Sequence, residues 1–401
     1  MARVRGILLR LSDITTADVD NWTALAERAT EPNAALDPRF LLPDRKISGN
    51  HLLVVAEEDG KWLGLVRVFP VDLAPTLPLR TYGTLEPADL GPPFPLLDPA
   101  RASDALAAIA RTVRRRLRRG YIGLRGYPAS GPLAQALQDV SRRPALHATV
   151  VASHIVPWVD VLPARAAPHE RVHPAVTDPE YRSASTRKEL RRYARRLVEA
   201  GGGPLTLHDA SDDPEAIDRF VTMQASGWKG DREHGGYAVA LDRERETAFR
   251  AKTEAFRESG DLIVLEMWAG DAHVYSHLYV VSGGVAMGIL DAYQHEYGAY
   301  STGKLGRTAV TTHMRGLQRL KALNPGHFYY GDDEAVKAFP DRREFVDVVI
   351  GVGIVPSLLC RLLPRTEASL RARAAVMAFS RGDALMMRAI GTLTRKPRPT
   401  P

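Results

Sequence analysis

The stretch Leu262-Ile-Val-Leu-Glu-Met-Trp268, the turn Ala269-Gly-Asp-Ala272 and the run His273–Val281 decide the fold class of this chain. Apolar runs on both sides of a short glycine-containing turn predict a β-hairpin. Residues 52–56 and 62–69 show the same pattern around a second such turn. The alternative is a chance pair, because hairpins are common. We interpret the pair as a duplication that predicts two α/β domains with mixed, partly antiparallel sheets.

The length and the proline distribution predict how the chain is divided. A chain of 401 residues fits two or three domains. Residues 163–180 contain four prolines and several small residues, which makes this segment the best candidate for a boundary. We therefore expect one domain over residues 1–165, a second over residues 166–355, and a helical extension with a tail over residues 356–401.

The composition limits the compartment and the chemistry. A single cysteine, Cys360, excludes an internal disulfide and a cysteine-based zinc site, and it favours a reducing cytoplasm. The apolar, uncharged stretch Val348–Cys360 is 13 residues, whereas a membrane span needs about 20 apolar residues. No phosphate loop, nucleophile elbow or zinc-protease motif occurs in the sequence, and the histidines lack the spacing of metal ligands. We expect a cytoplasmic protein without a membrane span or a metal.

Positive charge is concentrated on a helix predicted over residues 181–200. The first 200 residues carry the whole formal net charge of +7, and the others sum to zero. Two adjacent rows of cations at i, i+4, i+8 spacing follow this helix: Arg187, Arg191 and Arg195 in one, Lys188, Arg192 and Arg196 in the other. Like charges at this spacing repel, so they favour a polyanionic partner. The alternative is a solvated face with acidic neighbours.

Two segments of the second half bring together groups suited to a binding site. In Phe220–Gly230, Trp228 and Lys229 follow a predicted helix and lie between glycines, which is typical of a pocket lining or of a packed helix end. Asp291 and Tyr293 end a predicted strand. Tyr300, Gly303 and Lys304 then lead into a predicted helix, whose first amides and adjacent lysine can hold an anion. Ser301 or Thr302 as a simple N-cap is the alternative.

A third segment, Phe328–Lys337, delivers three acids and a lysine to the end of a predicted strand. Its polar residues are Asp332, Asp333, Glu334 and Lys337. Carboxylates at a strand end act as general bases when they are partly buried, and an exposed acidic turn is the alternative.

These segments together resemble the CelD/BcsL-like acetyltransferases, also called the BioF-type or sixth acetyltransferase family. The first part of the family pattern stands here as Asp291-Ala-Tyr293 and Tyr300-Ser-Thr-Gly303-Lys-Leu305, and the second part as Phe328-Tyr-Tyr-Gly331 with Glu334-Ala-Val-Lys337. The basic helix and the Trp228 segment also occupy the places that the family pattern gives them. Ser301–Gly306 approximates a coenzyme A pyrophosphate loop without its leading Arg or Gln.

The resemblance implies a member of the GNAT superfamily related to Fem-type transferases, which have two tandem GNAT-like domains. It implies acyl transfer to an amine or hydroxyl, with acyl-CoA as a donor substrate and no tightly bound cofactor. On this basis Asp291 or Asp332 is the candidate base, and Tyr293 or Tyr300 the acid or orienting group. The donor and the acceptor would contact Arg187, Lys188, Arg191, Trp228, Lys229, Gly303, Lys304, Glu334 and Lys337.

Two further functions remain open at this point. Fem-type transferases use aminoacyl-tRNA as the donor, and the pI of about 9.5 with the cationic rows on residues 187–196 favours this alternative. A non-catalytic nucleic-acid-binding protein that retains a transferase fold is the third. The acceptor is expected to be an amine of a small molecule or of a cell-envelope precursor.

Overall fold

The computed structural model describes residues 4–46, 51–74, 77–84, 93–160, 182–326, 339 and 341–362. The strands are β1 (Arg5–Arg10), β2 (Leu52–Glu58), β3 (Lys61–Ala74), β4 (Leu77–Gly83), β5 (Leu96–Leu97), β6 (Tyr121–Pro128), β7 (Leu146–Pro157), β8 (Val159–Asp160), β9 (Leu205–Asp209), β10 (Leu262–Ala269), β11 (Ala272–Ser282), β12 (Val285–Tyr293), β13 (Ala322–Asn324) and β14 (Arg342–Val352). The α-helices are α1 (Thr16–Arg28), α2 (Pro38–Leu41), α3 (Ala102–Leu117), α4 (Pro132–Ser141), α5 (Ala184–Gly201), α6 (Ala216–Ala225), α7 (Arg243–Glu258), α8 (Thr302–Met314) and α9 (Ile354–Leu362).

The first of two compact units comprises residues 1–156 and 343–386. Its eight-stranded sheet has the order β1-β2-β3-β4-β6-β14-β7, with β5 paired to β3. Helix α3 covers β1, β2 and β3 with Ala105, Ile109 and Val113, which are fully buried. Because these residues recur every four positions, they form one apolar stripe whose burial holds the helix on the sheet.

The second unit comprises residues 157–342 and 387–401. Its six-stranded sheet has the order β8-β13-β12-β11-β10-β9. One core contains Leu190 and Leu197 of α5, Leu305 of α8, and strand residues such as Ile263. Helices α6 and α7 pack together through the stacked rings of Phe220 and Phe249, 6.0 Å apart.

Strand β12 is covered on one edge, and the described residues leave its other edge partly open. It pairs with the antiparallel β11 along its whole length, whereas the parallel β13 accompanies it only over Val285–Met287. Gly326 lies so close to Gly288 that a Cβ on Gly326 would lie 2.3 Å from the carbonyl oxygen of Gly288. Its φ of 76° also favours glycine. Beyond this crossing, β12 continues to Tyr293 without β13 beside it.

The two units share one topology, which confirms the predicted fold class of two α/β domains with mixed sheets. In each, a hairpin leads to a third antiparallel strand, and a helix then leads to a strand parallel to that third strand. The two series are β2-β3-β4-α3-β6 and β10-β11-β12-α8-β13. The predicted hairpins at residues 52–69 and 262–281 lie in these series.

The division of the chain differs from the predicted bounds at two places, and the first is β8 (Val159–Asp160), which we placed in the first domain but which pairs with β13 in the second unit. We placed residues 166–355 in the second domain, but β14 (Arg342–Val352) pairs with β6 in the sheet of the first unit. A strand that returns to an earlier sheet leaves no local signal, because its apolar pattern suits either sheet. The predicted boundary at residues 163–180 lies outside the described residues.

The predicted helical extension begins at α9, and its continuation lies outside the described residues. Across the described ranges, every helix is too short or too polar to cross a membrane. In the same part of the chain, His, Cys, Asp and Glu side chains form no cluster suited to a metal ion.

Candidate active site

An ion pair between the mostly buried Asp291 and the half-buried Arg307, whose side chain is 32% exposed, joins β12 to α8. Arg307 Nε donates to Asp291 Oδ2 at 2.7 Å, and the Asp291 side chain is 15% exposed. Burial alone would raise the pKa of Asp291, but Arg307, with His277 and Lys229 nearby, outweighs it and holds that pKa well below its usual range. Asp291 is therefore a firmly ionised partner of Arg307 and a poor proton acceptor.

Three polar side chains of β11 surround this pair. Tyr275, His277 and Tyr279 alternate along the strand and so point to one face. The Tyr275 hydroxyl donates to Asp291 Oδ2 at 3.2 Å, and the Tyr279 hydroxyl lies 2.9 Å from His277 Nδ1. Burial raises the pKa of both tyrosines well above its usual value. The tyrosines therefore stay neutral, and Tyr275 holds the carboxylate of Asp291 in place.

Lys229 reaches the main chain of β12 at the same residue. It lies in the short 3-10 helix Trp228–Gly230 that follows α6, and its Nζ donates to the Asp291 carbonyl at 3.0 Å. Burial lowers the pKa of this ammonium. The ring of Tyr237 packs edge-on against Trp228 and lies 5.7 Å from Nζ. The lysine is thus fixed over the open edge of β12.

The register of β12 shows which way the Asp291 amide points. The Gln294 amide donates to the Val274 carbonyl, so Asp291 and Tyr293 fall at non-hydrogen-bonded positions of this ladder. The N–H and C=O of such a residue both point away from the partner strand, which is the side from which Lys229 approaches. Since β13 ends its pairing at Met287, the Asp291 N–H faces this open edge.

The start of α8 lies against the end of β12. Ser301, in the left-handed region with φ 54°, leads into the helix. A Cβ on Gly303 would lie 3.4 Å from the ring of Tyr293, and one on Gly298 would lie 3.3 Å from it. The two predicted residues Tyr293 and Gly303 are therefore neighbours, and the first amides of α8 begin beside the open edge of β12.

Helix α5 packs beside this helix start and brings its basic rows to it. The Arg196 guanidinium lies 5.4 Å from the Tyr300 ring centroid, and Lys304 Nζ lies 3.4 Å from Glu189. The exposed cations on this helix are Lys188, Arg191, Arg192, Arg195 and Arg196, whereas Arg187 is half-buried. The predicted polyanion surface and the predicted anion site of Lys304 thus form one region of the second unit.

Two recesses open on the other side of Lys229. A small recess is lined by Met223, Gln224, Gly227, Trp228, Lys229, Ala292, Tyr293 and His295. An open groove of about 430 Å³ is lined by Glu215, Asp218, Arg219, Thr222, Met223, His273 and Gln294. Met223 belongs to both linings, so the groove leads along α6 towards the lysine.

The structure therefore brings together Asp291, Tyr293, Trp228, Lys229 and Gly303, with Tyr300, Lys304 and the α5 cations beside them. Asp332, Glu334 and Lys337 lie outside the described residues. Sequence reasoning missed Arg307, Tyr275, His277 and Tyr279. The alternation of Tyr, His and Tyr in a predicted strand was a usable signal for a polar face, whereas Arg307 carried no signal of its own.

Gly306 has a packing function that its place in the loop-like motif Ser301–Gly306 did not suggest. It lies inside α8, and a Cβ there would meet the buried Tyr275 ring at 2.3 Å. We expect Gly306→Ala to lower the free energy of unfolding by about 1–3 kcal/mol, because the ring must shift. Gly303→Ala is the matched control, since its Cβ would make an ordinary contact. Equal urea midpoints for the two variants would contradict this packing.

Comparison with known proteins defines the class. Residues 184–332 match the family model described as an acetyltransferase (GNAT) domain. The crystal structure of FemX superposes with a TM-score of 0.51 at 10% identity, covering 89% of this chain and 99% of that one. The crystal structure of a conserved protein of unknown function from Bacteroides thetaiotaomicron superposes with a TM-score of 0.52 at 12% identity. The superposition covers 88% of this chain and 100% of that one. The sequence matches none of the curated proteins.

The second unit therefore carries a GNAT-type acyltransferase domain, and the protein is an acyltransferase. The residues that match the family model include helix α5, Lys229, strand β12 and helix α8, which together form the candidate site. The likeness to FemX extends over both units and shows a Fem-like fold.

Proposed function

We propose that this protein is an N-acyltransferase that moves an acyl group from acyl-CoA to an amine. The observation that carries the proposal is the pair of donors at the open edge of β12, the Asp291 N–H and the Lys229 ammonium, beside the start of α8. Donors fixed in advance around one point suit a reaction in which negative charge develops on an oxygen.

In the proposed step the acceptor nitrogen attacks the carbonyl carbon of the thioester. The carbonyl oxygen becomes an oxyanion, which accepts hydrogen bonds from the Asp291 N–H and from Lys229. Collapse of this intermediate breaks the carbon–sulfur bond, and the thiolate leaves with the electron pair. The base takes the proton that the amine loses, and Tyr293 or Tyr300 orients or protonates the leaving group. Direct transfer needs only this positioning and charge stabilisation.

The geometry around Asp291 changes which residue we propose as the general base. We had named Asp291 or Asp332, but Asp291 accepts from Arg307 and Tyr275 and has a strongly lowered pKa. A carboxylate so stabilised as an anion takes up a proton poorly at neutral pH. The proposal therefore gives the base function to Asp332 and donor contacts to Glu334 and Lys337.

The donor phosphates would bind where α5 meets α8. Helix N-termini favour anions because their first amides are unpaired within the helix and the dipole is positive there. Lys304 and Arg196 add charge at this point. The acceptor would enter by the groove along α6, which Glu215, Asp218 and Arg219 line with polar groups.

The alternative donor is aminoacyl-tRNA, and the exposed cations of α5 are the observation that favours it. Incubation of the purified protein with an amine acceptor and either acetyl-CoA or charged tRNA separates the two donors. Transfer from acetyl-CoA that resists RNase supports the main proposal. Transfer only from charged tRNA, abolished by RNase, supports the alternative. Absence of transfer from both would overturn the proposal of either donor.

Neutralising the exposed cations of α5 tests their contact with the donor. We expect the combined Lys188→Gln, Arg192→Gln, Arg195→Gln and Arg196→Gln variant to bind its donor at least tenfold more weakly at low salt, because each lost phosphate contact removes counterion release. A plot of log affinity against log salt concentration would also become shallower. Arg115→Gln with Arg116→Gln, on the exposed face of α3, is the control. Unchanged affinity and slope in the α5 variant would exclude this surface.

A further inference from the structure

Lys229 places a primary amine beside the proposed site of thioester attack. Its Nζ lies 3.0 Å from the Asp291 carbonyl, at the open edge of β12 where the Asp291 N–H is the proposed donor to the oxyanion. A thioester oxygen that accepts from this N–H and from Nζ brings the carbonyl carbon to roughly 3.5 Å from the lysine nitrogen, which is a near-attack separation. Lys229 therefore has the position of an acyl acceptor as well as that of an oxyanion donor.

Contacts on several sides keep the Lys229 side chain in this position. The residue lies in a short 3-10 helix, and its Nζ is 5.7 Å from the ring centroid of Tyr237, which packs against Trp228. The recess that Lys229 lines has a volume of about 10 Å³, the room that one water molecule needs. The side chain thus has little space to turn away from β12, and a group held in place reacts with a bound partner far faster than a group in solution does.

The surroundings of Lys229 increase the share of the neutral amine. Burial lowers the pKa of this ammonium, the Asp291 carboxylate opposes that effect, and the Arg307 guanidinium adds to it. Tyr237 and His295 are further titratable side chains beside it among the described residues. Only the neutral amine has the lone pair that attacks a carbonyl carbon, so Lys229 is a better nucleophile at neutral pH than its position would otherwise allow.

We propose that Lys229 is a site of self-acylation, to which the protein transfers the acyl group of its bound donor when no acceptor is present. The neutral amine attacks the carbonyl carbon of the thioester, and a carbon–nitrogen bond forms. The carbon–sulfur bond then breaks, and coenzyme A leaves as the thiolate with the electron pair. The proton that the nitrogen loses passes to water. The inference rests on the proposed function, because it needs the donor carbonyl at the open edge of β12.

Self-acylation would regulate the same site. Acylation removes the positive charge of the lysine, and the resulting amide stabilises a developing oxyanion far less than an ammonium does. We expect the acylated protein to transfer acyl groups about 10²–10³-fold more slowly, the usual loss for one oxyanion donor. The protein would thus stop its own reaction when the donor is plentiful and the acceptor is scarce.

Peptide mass spectrometry of the full-length protein, incubated with acetyl-CoA and without an acceptor, tests the modification. We expect Lys229 to gain one acetyl group at least about tenfold faster than Lys321. Lys321 is the matched internal control, since its Nζ also donates to a main-chain carbonyl at 3.0 Å but the residue is exposed. Acetyl-CoA in solution reacts most readily with exposed lysines, so faster acetylation of the half-buried Lys229 identifies a bound donor. Excess free coenzyme A should slow the acetylation of Lys229 and leave that of Lys321 unchanged. A parallel incubation with charged tRNA tests the alternative donor.

The outcomes separate this inference from the proposed function. Transfer to an added amine with Lys229 unmodified in the acceptor-free incubation would overturn the inference alone. Equal rates for Lys229 and Lys321, or equal protection of both by coenzyme A, would also overturn it, because the acetylation would then be unspecific. Undiminished transfer by protein acetylated at Lys229 would overturn the regulatory effect. Neither modification nor transfer from either donor would overturn the proposed function as well.

Discussion

Lys229→Met is expected to lower kcat by about 10²–10³-fold, the usual loss when one donor to a developing oxyanion is removed. Methionine keeps the length and the apolar stem of the side chain but cannot donate to the Asp291 carbonyl or to a reacting oxygen. The KM for the donor should change much less, because the lysine acts on charge that appears in the transition state. Steady-state kinetics with acetyl-CoA or charged tRNA measure both parameters.

Lys321→Met is a closely matched control for this prediction. Lys321 Nζ also donates to a main-chain carbonyl at 3.0 Å, that of Gly283 just before β12 begins. It lies at the opposite end of the strand from Asp291, so its loss should leave kcat within about twofold. If both lysine variants keep wild-type kcat, Lys229 has no function in the chemical step.

The pH dependence provides a second readout for Lys229. Burial lowers the pKa of its ammonium, so the charged form is lost as the pH rises through that lowered value. We therefore expect the rate to fall on the alkaline side at a pH below the ordinary range for lysine, about 10.4. In Lys229→Met this alkaline limb should be absent from the profile of the residual rate. An identical limb in the variant would assign it to another group.

Arg307→Met is expected to lower the free energy of unfolding by about 1.5–3 kcal/mol, the usual loss for a hydrogen bond to a charged group, because the mostly buried Asp291 carboxylate loses its charged partner. Asp291 would then keep the hydrogen bond from Tyr275 but lose the charge that offsets its burial. Activity should fall with stability, because Asp291 also supplies the proposed amide donor. Urea unfolding measures the change, followed by tryptophan fluorescence, to which Trp158, Trp228 and Trp268 of the second unit contribute.

The pH dependence of the stability of Arg307→Met tests how the ion pair shifts the pKa of Asp291. In the wild type the folded-state pKa of Asp291 lies below its unfolded value, so the stability it contributes is present at neutral pH. That contribution is lost only as the pH falls through the folded value. Without Arg307, burial dominates and raises the pKa, so the folded state gains a proton. We therefore expect the destabilisation of Arg307→Met to shrink between pH 7 and pH 5.

Two further variants complete the test of the ion pair. Asp291→Asn combined with Arg307→Met should be less destabilised at pH 7 than Arg307→Met alone, and it should lose the pH effect of Asp291, since the carboxylate is gone. Arg250→Met removes an arginine that is about as exposed as Arg307 but pairs with the exposed carboxylate of Asp218 and with Glu246, and it should cost less than about 1 kcal/mol. Equal losses in Arg250→Met and Arg307→Met would show that burial does not distinguish these pairs.

The sequence by itself predicted the two hairpins, helix α5 and several residues of the candidate site. The hairpins at residues 52–69 and 262–281 follow from apolar runs and glycine turns, which are local patterns. Asp291, Tyr293 and Gly303 were found because a strand end and a helix start lie close together along the chain. The sequence indicated Lys229 through the adjacent Trp228 and the flanking glycines, but it did not show which group the lysine contacts.

Only the tertiary structure decided what these residues contact. The ion pair of Asp291 with Arg307 turns a candidate base into a fixed anion, and the contact of Lys229 with the Asp291 carbonyl assigns a donor to the open edge of β12. Likewise, β14 enters the first sheet although it follows the second unit in sequence. The physical reason is that periodicity along the chain records which face of an element is buried. The partner of a charge or of a strand edge depends instead on which distant segments the fold brings within hydrogen-bonding distance.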